Sequence, residues 1–201
     1  MRLKFGFCLL AIAGATLPAK AAEISKSYKY FSLYGKTAED LDREMAKRGP
    51  KLESTHARHP GATSMAFGLK TKISNDGRYC RIEKAYVTLT LKVVLPSWKN
   101  RNTATQDMAI MWDTLSSDIK RHEERHAIIA RNYAMELEKA LEALPRSRDC
   151  KALQDSAAKK ADAILSAHAA AQAQFDKVES INFEARLTRL LAYRLEQLQA
   201  R

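Results

Sequence analysis

The residues with the most chemistry in this sequence are His122, Glu123 and His126, in the run His122-Glu123-Glu124-Arg125-His126. On an α-helix each residue advances about 100°, so positions four apart share a face about 6 Å apart along the axis. Both imidazoles can then address one metal ion. Glu123 projects about 60° from His126, within reach of a water on that ion, while Glu124 and Arg125 turn away. Two nitrogen ligands and a carboxylate general base are the parts of a zinc hydrolase.

The surrounding residues support a helix. Leu115, Ile119, His126, Ile129, Tyr133 and Leu137 fall within about 60° of His122, so the histidines lie in the middle of an apolar stripe. The competing reading is two core histidines, hydrogen-bonded to carbonyls. The intervening Glu123 and the spacing favour metal.

A targeting segment opens the chain. Arg2 and Lys4 precede an apolar run from Phe5 to Leu17, and Ala19-Lys20-Ala21 is an A-x-A cleavage signal. Residues 1–21 are therefore expected to be a signal peptide, with 22–201 one domain carrying an extended C-terminal helix. The run is too short for a stable span, and no later stretch is apolar enough. The expected location is periplasmic or secreted, without a transmembrane segment. Arg2, Lys4 and Lys20 leave with the signal, so the formal charge of +11 falls by three to +8. The bases are interspersed with acids, without a basic run, which points away from a specific nucleic-acid partner. Cys80 and Cys150 remain as a pair in an oxidising compartment, where a disulfide is the natural reading.

Along the mature chain, Tyr28 to Leu33 reads as a strand. Thr37 caps a helix that stops at Gly49-Pro50. His56 and His59 precede Pro60-Gly61 and read as loop residues. Ala66 to Ile73 alternates as a strand, Asn75-Asp76-Gly77 signals a hairpin, and Val87 to Leu95 alternates until Pro96 ends it. This predicts a small antiparallel sheet with one buried face. Thr103-Ala104-Thr105-Gln106 reads as a capping box opening the histidine helix, which runs to about Leu144 with a break expected near Ser116-Ser117-Asp118. From Lys151 the chain is Ala-rich and helical almost to Arg201. Leu153, Ala157, Ala161, Ile164, His168, Phe175 and Glu179 share one face. The fold class is α+β, with the sheet packed on the long H-E-x-x-H helix and the long C-terminal helix.

These pieces resemble the exported bacterial domain of unknown function 922, whose members are described as predicted zinc-dependent proteases. The resemblance rests on the Tyr/Phe strand, Gly35 and Thr37, Leu41, Gly49-Pro50, Cys80, Leu95-Pro96 with Trp98, the H-E-x-x-H run and Cys150. It implies a zincin-like fold and peptide-bond hydrolysis. The family usually carries a Y-D-x-x-T-x-H-G segment, and its counterpart here is Phe175-Asp176-Lys177-Val178-Glu179-Ser180-Ile181-Asn182. Asp176 is kept, whereas Glu179, Ile181 and Asn182 stand at the family's Thr, His and Gly positions.

A catalytic zinc takes three protein ligands and a water. Besides His122 and His126, the third is sought at Glu179, where an unpaired carboxylate on an apolar face would be costly. Asp176, retained in the family segment, is an alternative, as is His168. With zinc as cofactor, Glu123 would act as general base toward a protein or peptide substrate. The rival expectation is a non-catalytic metal-binding or structural envelope protein whose C-terminal helix contacts a protein partner.

Overall fold

The computed structural model describes residues 22–51 and 57–200. The expected signal peptide and His56 lie outside the described residues. Strand β1 spans Glu23–Leu33, helix α1 Ala38–Arg48, β2 Ala62–Asn75, β3 Cys80–Trp98, α2 Gln106–Glu142 and α3 Cys150–Gln199. No helix among these residues is long and apolar enough to cross a membrane.

The three strands form one sheet in the order β1-β3-β2. Central β3 is antiparallel to β2 but parallel to β1, so the sheet is mixed rather than antiparallel. The cause lies in the connections. Leu33 ends β1 beside Trp98, and Ala62 begins β2 beside Val94, at the same end of β3. The α1 excursion returns the chain to the end where it left the sheet, so β2 runs opposite to β1. The β2–β3 turn then reverses it again. Alternating hydrophobicity reports a buried face but is blind to strand direction.

Local chemistry explains most element ends. Thr37 caps α1 in a reciprocal capping box with Asp40. Gly35 has φ 125°, a turn conformation that favours glycine, and its carbonyl accepts from Trp98 Nε1 at 2.9 Å. Gly77 supplies the positive φ of the β2–β3 turn, while Asp76 Oδ1 accepts from the Arg78 and Tyr79 amides.

Several boundaries differ from the sequence reading: all three strands begin earlier than expected, at Glu23, Ala62 and Cys80. β3 continues through Pro96 to Trp98, because β2 begins opposite Val94 and leaves that side of the strand free of a ladder. The cap of α2 is Thr105, which accepts from the Met108 amide, and Arg101–Thr103 form a 3-10 turn before it. No break occurs at Ser116-Ser117-Asp118. Both serine hydroxyls bond the Asp113 carbonyl, and Asp118 is occupied by arginines.

One sheet face carries the core. Ile82, Val87, Leu89 and Leu91 of β3 meet Ala127, Ala130, Ala134, Leu137 and Leu141 of α2, and Leu153, Ala157, Ala161 and Ile164 of α3. Alanines on both helices allow a close antiparallel approach. At the other end Leu33, Leu41, Trp98 and Trp112 form a second cluster, the two indoles edge-to-face at 5.8 Å. Glu124 accepts from Lys26 Nζ at 2.7 Å and from the Tyr28 hydroxyl, fastening α2 to β1.

Cys80 and Cys150 are disulfide-bonded, with Cα atoms 5.3 Å apart. Reciprocal backbone hydrogen bonds between Cys80 and Ser147, at 2.7 and 2.9 Å, brace the same junction. The bridge ties the start of β3 to the first residue of α3 across a separation of 70 residues, for which the chain-entropy model gives about 4 kcal/mol. The double variant Cys80→Ser, Cys150→Ser is expected to lose about 2–4 kcal/mol in urea unfolding. An unchanged midpoint would remove the bridge from the stability of the fold.

Candidate functional site

The middle of α2 and the stretch of α3 opposite it enclose the site with the first residues of β2. On α2, His122 and His126 are one turn apart, with Nε2 atoms 3.0 Å from each other. Asp176 of α3 places Oδ1 2.9 Å from His126 Nε2 and 3.3 Å from His122 Nε2. The three residues form a group able to hold a metal ion, with all their ligand atoms within 4.8 Å of one another. Phe175 stacks on the His122 ring and meets His126 edge-on, each at 5.0 Å, which limits rotation of both imidazoles. Burial, and then the neighbouring His126, hold the His122 pKa below the ordinary histidine value.

Glu123 points toward β2 and is only 4% exposed. The Thr63 hydroxyl donates to its carboxylate at 2.8 Å, with the Glu123 carbonyl at 3.1 Å as the other acceptor in reach. A Cβ at Gly61 would come within 2.8 Å of Glu123 Oε1 and 2.9 Å of Ile119, so glycine there leaves the carboxylate its room. Burial pushes the Glu123 carboxyl above its ordinary value, although the Thr63 hydrogen bond opposes this.

Glu179 lies outside the three-residue cluster. Its carboxylate bonds Arg121 and lies 3.2 Å from Arg186, while His122 Nδ1 is 3.6 Å away. The carboxylate anticipated as unpaired therefore has two guanidinium partners. Burial pushes its pKa up, but Arg121 and Arg186 outweigh burial and hold it below the usual range. Asp118 completes this network, accepting from Arg121 Nε at 2.8 Å and Arg186 Nε at 3.0 Å.

His168 is not in the cluster. Its Nε2 is 2.8 Å from Gln172 Nε2, and Phe67 and Tyr133 pack edge-on against its ring. Burial lowers its pKa. Ile181, at the position of the family's histidine, is 73% exposed and does not line the cavity.

The cluster opens into a cavity of about 500 Å³, whose walls include His59, Pro60, Met65, Ile119, Phe183 and Arg186. Sequence reasoning overlooked Thr63, Asp118 and Gln172. A signal for Gln172 was present: His168, Gln172 and Asp176 recur every four residues on α3, the spacing of one helical face. Thr63 carried none, because its partner lies 60 residues away.

The elements and the cluster define an α+β chain in which two long helices and a small three-stranded sheet gather two imidazoles and a carboxylate. The chain belongs to the family described as bacterial protein of unknown function (DUF922), whose model matches residues 28–183, a span that includes the whole cluster. No curated protein and no solved structure matches it.

The arginine network gives a test of its own. Burial raises the Asp118 pKa, but hydrogen bonds from Arg186 and Arg121 depress it below 3.8 overall. A depressed carboxyl contributes stability above its ordinary pKa and loses it as the pH falls through the folded-state value. Asp118→Asn is therefore expected to lose roughly 1.5–3 kcal/mol at neutral pH. The deficit should shrink on acidification below 3.8. Urea unfolding across pH reads both, and a pH-independent deficit would contradict the charge-based account.

Proposed function

We propose that this protein is an exported, periplasmic or secreted, zinc-dependent peptidase with a zincin-like site. The observation that carries the reading is the meeting of His122 Nε2, His126 Nε2 and Asp176 Oδ1 within 2.9–3.3 Å, beside a buried carboxylate in an open cavity. Three atoms with lone pairs at such separations repel unless a proton or a cation lies among them. Two imidazoles and one carboxylate, with a side open to the cavity, are a donor set suited to catalytic zinc. In this reading His122, His126 and Asp176 hold the metal, and Glu179 remains with its arginines.

When bound, zinc would supply Lewis acidity, polarising a carbonyl oxygen and lowering the pKa of water. Glu123 would take the proton from the attacking water and pass it to the leaving amine. Its raised pKa brings it nearer neutrality, which suits a group that must both accept and return a proton. Thr63 orients the carboxylate, and Ile119 and Phe183 offer apolar walls that exclude solvent. Among the described residues strand β2 pairs only with β3, so its outer edge can hydrogen-bond an extended peptide beside the cluster. Ile181 lies off the cluster, so the family's histidine at that position is not needed for this ligand set.

A second reading is favoured by the far end of α3, where Ile181, Tyr193, Leu195 and Leu198 are exposed. It is a non-catalytic metal-binding or structural envelope protein whose last helix docks on a protein partner.

Elemental analysis and peptide hydrolysis separate the two. The wild type is expected to hold about one zinc per chain, lost in His126→Ala, weakened in Asp176→Asn and kept in Glu179→Gln. Glu123→Gln should keep the metal and lose about 10²–10⁴-fold in turnover. Zinc binding without any hydrolysis would favour the second reading, and zinc retained in His126→Ala would remove the cluster.

A further inference from the structure

Gln172 sits one turn before Asp176 and one turn after His168, on the face of α3 that meets α2. It is only 9% exposed, and a buried amide must satisfy both of its ends. Its Nε2 lies 3.1 Å from the His126 carbonyl oxygen, 2.8 Å from His168 Nε2 and 3.2 Å from Met65 Sδ. A backbone carbonyl can only accept, so the end of the amide facing it is the NH₂ group. Oε1 then faces His126 Nδ1, at 2.6 Å. An amide oxygen also only accepts, so this bond draws the proton of a neutral His126 ring to Nδ1, in competition with Asp176 Oδ1, which lies 2.9 Å from Nε2. Its Nε2 lone pair is thereby turned toward Asp176 and His122.

We infer that Gln172 is a positioning residue: through one amide it fixes the tautomer and ring angle of His126, and His168 holds that amide in place. The chain of contacts runs His168 to Gln172 to His126, crossing from α3 to α2. The Gln172 NH₂ group also donates to the His126 main chain, so a single side chain grips ring and backbone together. Two bonds to one residue leave the imidazole little freedom to tilt. The neighbours complete the seat. Phe67 and Tyr133 hold the His168 ring from two sides, and Phe175 closes on the far edge of His126. A ligand imidazole is commonly oriented by a hydrogen bond to its other nitrogen, and loss of such a partner typically weakens metal binding by 10–100-fold. The consequence for zinc rests on the metal reading above, whereas the tautomer does not.

The test therefore has two arms. In metal-free wild type, well above the ordinary histidine pKa, long-range proton–nitrogen spectra should show His126 protonated at Nδ1. Gln172→Met, similar in size but without an acceptor for that proton, should show an Nε2-protonated population. Zinc affinity, measured by chelator competition, is expected to fall about 10–100-fold in Gln172→Met. Thermal unfolding of the metal-free variant checks that the fold is retained. Protonation at Nε2 in the wild type overturns the inference whatever the variant does. Unchanged zinc affinity in a folded Gln172→Met overturns the positioning role. If the wild type binds no zinc, the metal reading fails, and the tautomer measurement still decides whether Gln172 orients His126.

Discussion

Close packing of α2 against α3 is the constraint on which the rest of the structure depends. The helices run antiparallel, and Ala127, Ala130 and Ala134 on one side and Ala157 and Ala161 on the other keep the contact shallow. Only at such a separation can Gln172 reach the His126 main chain, and Asp176 both imidazoles. Larger residues at these positions would part the helices, and the side chains between them are too short to compensate. The disulfide at Cys150 pins the start of α3 to β3 and so sets the register of this contact from its closed end.

Charge is sorted along the same interface. Near its middle, lone-pair donors from His122, His126 and Asp176 converge with no arginine bonded to Asp176 among the described residues. One turn further, Arg121 and Arg186 gather Asp118 and Glu179 into a network with matched charges. The carboxylates thus have three fates. Glu179 is neutralised by arginines, Glu123 is buried against a hydroxyl, and the Asp176 side chain, 55% exposed, faces the histidines. Four acids within a few turns of two helices are sorted into three chemical settings by their neighbours alone, Asp118 sharing the arginines of Glu179.

Much of this was legible in the residues. The H-E-x-x-H spacing, the apolar stripe around it, the Thr37 cap, the Asn75-Asp76-Gly77 turn and the Cys80–Cys150 pair all depend on interactions within one element or on a single pairing rule. Parallel β1 was not legible, because alternation carries no direction. Pro96 misled because a proline forbids a ladder bond only where a neighbouring strand requires one. At Glu179 the expectation failed through its premise: the carboxylate shares a face with apolar residues, but Arg121 comes from another helix, and of its two arginine partners helical periodicity within α3 could supply only Arg186, seven positions on.

By itself the sequence determined which residues could do chemistry and which helix faces they occupy, since those follow from the 3.6-residue repeat and side-chain type. Tertiary structure alone decided which acid joins the histidines, which is claimed by arginine, and which nitrogen of His126 faces them. Those choices rest on distances of about 3 Å between residues some 50 positions apart, and they exist only once the two helices are packed.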